Sequence, residues 1–310
     1  MKRGNKVQDF SSEFSCSVAT VGNFDGVHLG HQKIFKKIKE QSIKHNCKSL
    51  VITFDPHPST VLYPARSFSM LTREEKKLRL IEEYGMDGVL TIPFTLPFAE
   101  KGPLSFVEEV LHPLRLRELY VGHDFSFGSG RSGNVKTLIK EGEILGFKVF
   151  EIPEVTTDGN NIRSSNIRKL IAEGDVVTAE KLLGRRYSVS GKVIKGGGRG
   201  IKLGFPTANL GDVSETPPGP GVYAAKTILD GKEYGSATHV GIIPTFDVDV
   251  PGIETHIFDF DKNIVGRDVE VQFMQKIRDT VKFESVDQLI EQIATDCKDI
   301  RSYLSNVEQK

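Results

Sequence analysis

Two histidines three residues apart, His28 and His31, close a glycine-punctuated run: Gly22-Asn23-Phe24-Asp25-Gly26-Val27-His28-Leu29-Gly30-His31. The apolar stretch 17–22 before it reads as a strand, and 31–44 reads as a helix with Ile34, Phe35 and Ile38 on one side. At this spacing both imidazoles share a face of the first turn. The helix start adds free N–H groups and a positive dipole end, and the glycines let backbone approach a ligand. Such an arrangement suits a phosphate whose charge grows in a transition state. A histidine pair at this spacing is by itself commonly an ordinary surface pair; the strand before it and the glycines around it single this one out.

A second cluster lies far downstream, from Gly196-Gly197-Gly198-Arg199-Gly200 to Gly204-Phe205-Pro206-Thr207-Ala208-Asn209. A basic glycine loop followed by two oxygen ligands, Thr207 and Asn209, can cradle phosphates and hold Mg²⁺. Equally, it is a mobile basic hairpin loop able to touch nucleic acid. Ser164-Ser165-Asn166-Ile167-Arg168 opens a helix, and hydroxyls, N–H groups and a guanidinium fork suit a triphosphate. Thr53-Phe54-Asp55-Pro56-His57-Pro58 is either a rigid loop, stiffened by its prolines, or a simple strand-ending turn. Gly128, Gly130 and Gly133 fit G-x-G-x-x-G, but about seven residues separate them from the strand, too far for a dinucleotide turn. No P-loop sequence occurs.

The elements that must position these residues fall into two patterns. Strands at 17–22, 49–54, 89–94, 118–122 and 147–153 alternate with helical periodicity, which predicts an α/β half with a Rossmann-like parallel sheet covered on both faces. Ligands in such sheets sit beyond the carboxyl ends of the strands. Thr72 with Glu75, and Ser105 with Glu108, are expected to cap two of the helices. After Arg186 the chain turns to short strands with Gly and Pro turns, including an Asp230-Gly231 hairpin signal. That half reads as a small antiparallel β-barrel with a C-terminal helix from Ser285, its cap shared with Gln288. The expected domains are 1–185 and 186–310, in keeping with a length of 310 residues.

Hydrophobic residues are 38% and charged residues 26% of the chain, an ordinary globular composition. Lys plus Arg and Asp plus Glu are both 41, and this balance argues against a nucleic-acid or membrane-surface binder. Cys16, Cys47 and Cys297 are few, odd in number and far apart, so neither a zinc site nor a disulfide framework is expected. The N-terminus lacks a signal-peptide pattern and no apolar run reaches a membrane span. The expectation is a reduced, cytoplasmic protein, with homo-oligomerisation left open.

The string GNFDGVHLGH resembles the FAD synthetase branch of the nucleotidyltransferases, and GFPTAN (204–209) resembles the riboflavin kinase signature. Together the chain resembles the bacterial bifunctional riboflavin kinase/FMN adenylyltransferase family over about residues 15–305. The resemblance implies phosphorylation of riboflavin by ATP in the barrel, then adenylyl transfer from ATP to FMN in the first half, giving FAD and pyrophosphate. It implies that His28, His31, Ser164, Ser165, Arg168, Asp124 and the backbone of 22–26 and Gly30 meet ATP. Phe54, Asp55, Pro56, Pro58, Phe125 and Phe127 would border the flavin, as would Arg278. In the barrel, Gly198 and Arg199 would meet ATP phosphates, Thr207 and Asn209 would hold Mg²⁺, and Glu254 would be the base. Departures from the family are Ser126, Arg163 and Ser165 in the first half, and Ile201, Ile243, Val265 and Thr280 in the barrel. The barrel departures motivate one alternative, a transferase with an impaired kinase half; the others are a non-catalytic flavin-binding regulator and nucleic-acid binding through the Lys195–Lys202 loop.

Overall fold

The computed structural model describes every residue except 66, 67, 158, 246, 247, 309 and 310, and leaves undescribed the side chains of 160, 242–245, 248–251 and 308. By packing, the chain divides into one unit of residues 1–68 and 72–163 and a second of 69–71 and 164–310. Residues 164–185 therefore pack with the barrel.

The first unit is built on a six-stranded parallel sheet: β1 (Lys2–Gly4), β2 (Ser17–Val21), β3 (Lys48–Asp55), β4 (Gly88–Pro93), β5 (Leu116–Gly122) and β6 (Lys148–Ile152). Its spatial order is β1-β4-β3-β2-β5-β6, so the direction of winding reverses at β2. That reversal opens a crevice at the carboxyl ends of β2 and β5, where the loops after Val21 and Gly122 begin. Five strands fall where the sequence predicts them. The edge strand β1 was not expected, because three residues of mixed polarity carry no alternation to read.

Both sheet faces are buried, with the pleat sorting the side chains. Ala19, Val21, Leu50, Ile52, Leu90, Ile92, Leu119 and Val121 face one core, which Leu111, Leu138 and Phe106 complete. Val18, Val51, Val89 and Tyr120 face the other, under Ile34, Phe35 and Ile38 of α1 (Leu29–His45) and Ile81 of α2 (Glu74–Glu83). Each such side chain contributes about 1.5–3 kcal/mol by leaving water. α3 (Val135–Leu145) starts at an Asn134 capping box and ends at Gly146, which takes the left-handed conformation at φ 82°.

Two expected caps are corrected. α2 begins at Glu74 with Arg73 as its cap, and the Thr72 amide, which a capping box would give to the Glu75 side chain, donates to the Asp25 carboxylate at 3.2 Å instead. The turn near 105 begins at Pro103 behind Gly102, so Ser105 lies inside it; a proline at the first helical position sets the start. The unpaired state expected for the cysteines is also corrected, since Cys16 and Cys47 form a disulfide. Each precedes a strand, and β2 and β3 are parallel neighbours in the register Ser17↔Lys48, so the residues ahead of them are brought together.

The second unit opens with α4 (Ser164–Glu173) and α5 (Val176–Leu183), followed by a closed six-stranded barrel. Its strands are β7 (Tyr187–Ile194), β8 (Ala208–Gly211), β9 (Gly221–Leu229), β10 (Lys232–Thr245), β11 (Val248–Ile257) and β12 (Asp268–Arg278), in the order β7-β8-β11-β10-β9-β12 with β12 closing on β7. Asp230 and Gly231 both have positive φ, as the two-residue hairpin requires. Tyr223, Ala225, Val271 and Phe273 fill the interior. α6 (Val286–Glu308) lays Ile300 and Leu304 over Val222, Phe258 and Met274. Its first turn is capped by Ser285, whose Oγ accepts from the Gln288 amide at 3.2 Å. Strand β8 was not expected; it starts inside the glycine-loop motif at Ala208, and its four residues are too few to show a period.

Reduction, or Cys16→Ser, is expected to lower the unfolding free energy by about 2–4 kcal/mol. Urea unfolding with and without reductant checks this, and coincident midpoints for the wild-type chain would rule out a contributing cross-link.

Candidate functional site

In the first unit, β2 runs into a loop with an unusual backbone. Phe24 (φ 51°), Gly26 (φ 86°) and Val27 (φ 41°) are all left-handed, a conformation that costs a β-branched valine most. The loop is held from several sides. The Phe24 ring turns inward against Phe35 and edge-on to His31. Asp25 is buried and accepts from Thr72, and Gln32 Nε2 donates to the Val27 carbonyl at 2.9 Å. The side chains of Phe24 and Asp25 thus brace the loop.

His28 is the N-cap of α1, and its Nδ1 accepts from the His31 amide at 3.4 Å. The two imidazoles stack with centroids 3.5 Å apart. Accepting at Nδ1 leaves the ring proton of His28 on Nε2, as a donor. Gly30 has a reason that the sequence could not supply: a Cβ there would sit 3.1 Å from two atoms of the His28 ring. The glycine makes room for the imidazole.

The other expected residues of this unit surround the same sheet end. Phe54, at the end of β3, lies beside Phe94 and Phe98. Asp55 and Pro56 follow it through a cis peptide, and Pro58 starts a short turn that His57 caps. Phe125 and Phe127 stack at 5.6 Å in the loop after β5, where Asp124 also lies. Arg163 is ion-paired with Glu154 at 2.6 Å. Ser126 accepts from Arg131 Nε at 2.6 Å.

Sequence reasoning missed one group here. Lys77 is 6% exposed, pairs with Glu74 at 2.6 Å and donates to Thr53 Oγ1 at 3.3 Å. Thr53 donates in turn to the Asn23 carbonyl at 3.3 Å. A buried ammonium thus tethers α2 and β3 to the loop that presents His28. A lysine among the charges of α2 carries no signal in sequence that it points inward.

In the second unit, Ser164 and Ser165 start α4, and Arg168 Nε donates to the Ser69 carbonyl at 3.0 Å. On the barrel, Asn209 of β8 and Glu254 of β11 are direct cross-strand partners. The glycine loop folds over them. A Cβ on Gly196 would be 2.3 Å from Asn209 Nδ2, and one on Gly200 would be 3.2 Å from Thr207 Oγ1. Gly198 is left-handed and leads into the turn Arg199–Lys202. Burial pushes the Glu254 carboxyl above its ordinary range, and the nearby Arg199 charge offsets part of that rise. Arg278 is gripped by Asp296 of α6 through both Nε and Nη2, at 2.9 and 2.7 Å.

A family model described as FAD synthetase matches residues 11–166, and one described as riboflavin kinase matches residues 183–304. A bifunctional riboflavin kinase/FMN adenylyltransferase of Buchnera aphidicola is 36% identical, covering 94% of this chain and 95% of that protein. Proteins of the same name from Escherichia coli K12 (35%, 90% of each chain) and Bacillus subtilis (34%, 94% of each) are similar throughout. The chain belongs to the bifunctional riboflavin kinase/FMN adenylyltransferase family. It makes FMN from riboflavin and ATP, and FAD from FMN and ATP. A crystal structure described as a macrolide-efflux protein from Streptococcus pneumoniae shares the fold, with a TM-score of 0.85 and 29% identity over 97% of this chain and 99% of that one. Among the described residues no helix of the enzyme here is long and apolar enough to cross a membrane.

Membership also bears on the barrel departures. Ile201 is 71% and Val265 56% exposed, and Thr280 is exposed too, so none of the three buries an apolar group in place of a buried charge. The side chain of Ile243 lies outside the described residues.

Lys77→Met in this enzyme is expected to lower FAD formation about tenfold, the equivalent of one charge-assisted hydrogen bond. FMN formation should change less than twofold. Steady-state assays of both steps check it, and equal losses in both would mean general destabilisation instead.

Proposed function

We propose that adenylyl transfer is carried by His28 and His31 at the start of α1, and phosphorylation by Glu254 beside Thr207 and Asn209. The observation that carries the first assignment is the capping geometry of His28, with its Nδ1 occupied by the His31 amide. With Nδ1 accepting, the ring proton sits on Nε2 as a donor, and a helix N-terminus adds the positive end of its dipole; both suit a phosphate. The FMN phosphate is already anionic when it attacks the α-phosphorus of ATP, so this step needs positioning and charge stabilisation and no base. Ser164, Ser165, Arg168 and Asp124 take ATP contacts by resemblance. The aromatic surface of Phe54, Phe125 and Phe127, with Asp55, Pro56 and Pro58, takes the flavin.

In the barrel, riboflavin offers a neutral 5′-hydroxyl, which does need a base. A carboxyl raised by burial, as Glu254 is, holds a proton better than an exposed one. Gly198 and Arg199 take ATP phosphates and Arg278 borders the flavin. No group of three His, Cys, Asp or Glu suited to a metal occurs among the described residues. The donors of Thr207 and Asn209 nevertheless fit Mg²⁺, a hard cation that fills its remaining positions with phosphate and water. The cradle over them, which a Cβ at Gly196 or Gly200 would fill, supports that fit. When bound, Mg²⁺ would neutralise charge on the transferred phosphoryl group. The same reading divides the enzyme functionally at 185/186 and locates it in the cytoplasm with its ATP supply.

His28→Ala is expected to cut FAD formation from FMN by about 10²–10³-fold with FMN formation unchanged. Glu254→Ala is expected to do the converse, losing about 10²–10⁴-fold in riboflavin phosphorylation. Chromatographic separation of the flavins reads both, and a variant that keeps its assigned step removes that assignment. Asn209→Ala is expected to raise the Mg²⁺ concentration needed for half-maximal FMN formation; an unchanged requirement would remove Asn209 from the metal.

A further inference from the structure

Glu254 has a partner on each side across the barrel. Asn209 of β8 lies opposite it on one side, and His239 of β10 on the other. His239 is paired in turn with Val222 of β9, and Val222 with Arg278 of β12. Directly opposed residues share a face of the sheet. Asn209, Glu254, His239, Val222 and Arg278 therefore form one row on the outer face of the barrel, with about 4.8 Å between strands.

His239 is half-buried, and among the described residues neither its ring nor the Glu254 carboxylate makes a hydrogen bond. Leaving such groups without partners costs free energy unless something else supplies them. The ring also has space reserved for it. A Cβ on Gly241 would lie 2.9 Å from two of its atoms, the same provision that Gly30 makes for His28. Burial, and then the Arg278 charge, hold His239 below the ordinary imidazole range, so the ring is neutral near pH 7. A neutral imidazole donates at one nitrogen and accepts at the other, which matches a hydroxyl.

We propose that His239 is a substrate-binding residue of the kinase site, hydrogen-bonding the secondary hydroxyls of the ribityl chain. This rests on Glu254 acting at the 5′-hydroxyl and Arg278 bordering the flavin ring. A riboflavin lying along the row with its terminal hydroxyl at Glu254 must carry its polyhydroxyl chain past His239. The ring system then lies beyond His239 toward the Arg278 charge, because Val222 itself is covered by α6. His239 thus gives the site a preference for a hydroxylated chain over an alkyl chain of the same length, because only the former satisfies the imidazole.

The test uses the full-length enzyme with riboflavin and with a flavin carrying a 5-hydroxypentyl chain at N10, which keeps the terminal hydroxyl and lacks the secondary ones. His239→Leu is expected to lower kcat/KM for riboflavin phosphorylation about tenfold and that for the hydroxypentyl flavin less than twofold. His239→Gln, which keeps a donor and an acceptor, should recover part of the preference. FAD formation from FMN, which needs no kinase step, should be unchanged and serves as the folding control. Equal losses on both flavins, or no loss on riboflavin, would overturn the proposal. Glu254→Gln separates the two readings. Its loss falls on both flavins alike if Glu254 is the base, whereas the effect of His239→Leu is selective. A Glu254→Gln enzyme that retains full activity would remove the base while leaving the selectivity of His239 to be judged by its own comparison.

Discussion

The turn between β2 and α1 constrains everything else in the first unit. Three of its residues are left-handed, two of them not glycine, and such a backbone persists only where its surroundings over-determine it. Phe24 anchored on Phe35, Asp25 on the Thr72 amide, Val27 on Gln32 and Asn23 on Thr53 supply that determination. The return is the exact seat of one side chain, the His28 ring folded over Gly30 and stacked on His31. A nucleotidyltransferase that works by positioning and charge stabilisation needs such a seat to be rigid before ATP arrives.

The barrel solves a different problem by other means. Its interior is closed by Tyr223, Phe273 and a knot of hydroxyls, in which Thr255 meets Thr238 at 2.9 Å and Thr227 at 3.3 Å. Fixed registers then set the outward row in which Glu254 lies between Asn209 and His239. A strand ladder holds such neighbours at a spacing that loops could not guarantee. The glycine-rich element is confined to one loop, and Gly196 and Gly200 let it lie close over Asn209 and Thr207. In both units a histidine has a glycine two residues later that leaves room for its ring, so some of the glycine excess serves side chains as much as ligands.

Much of this was legible in the chain itself. Parallel strands buried on both faces read as apolar runs, and the hairpin at Asp230-Gly231 declares itself by residue type. The glycine clusters and the histidine spacing stand out as candidate sites because phosphate chemistry draws on few residue types. Two of the misreadings share a long-range cause. Thr72 looked like a cap, but its amide is claimed by Asp25, 47 positions earlier. Cys16 and Cys47 looked unrelated until the β2–β3 register brought the strand starts together.

The sequence by itself determined the two-part architecture, the phosphate-handling motifs and the family, since local periodicity and short-range spacing carry that information. Tertiary structure alone decided which charged residue is buried, which hydroxyl it reaches, and which imidazole stands beside Glu254. Lys77 on Thr53 and His239 opposite Glu254 depend on long-range register and packing, where a shift of one residue along a strand turns each side chain to the other face.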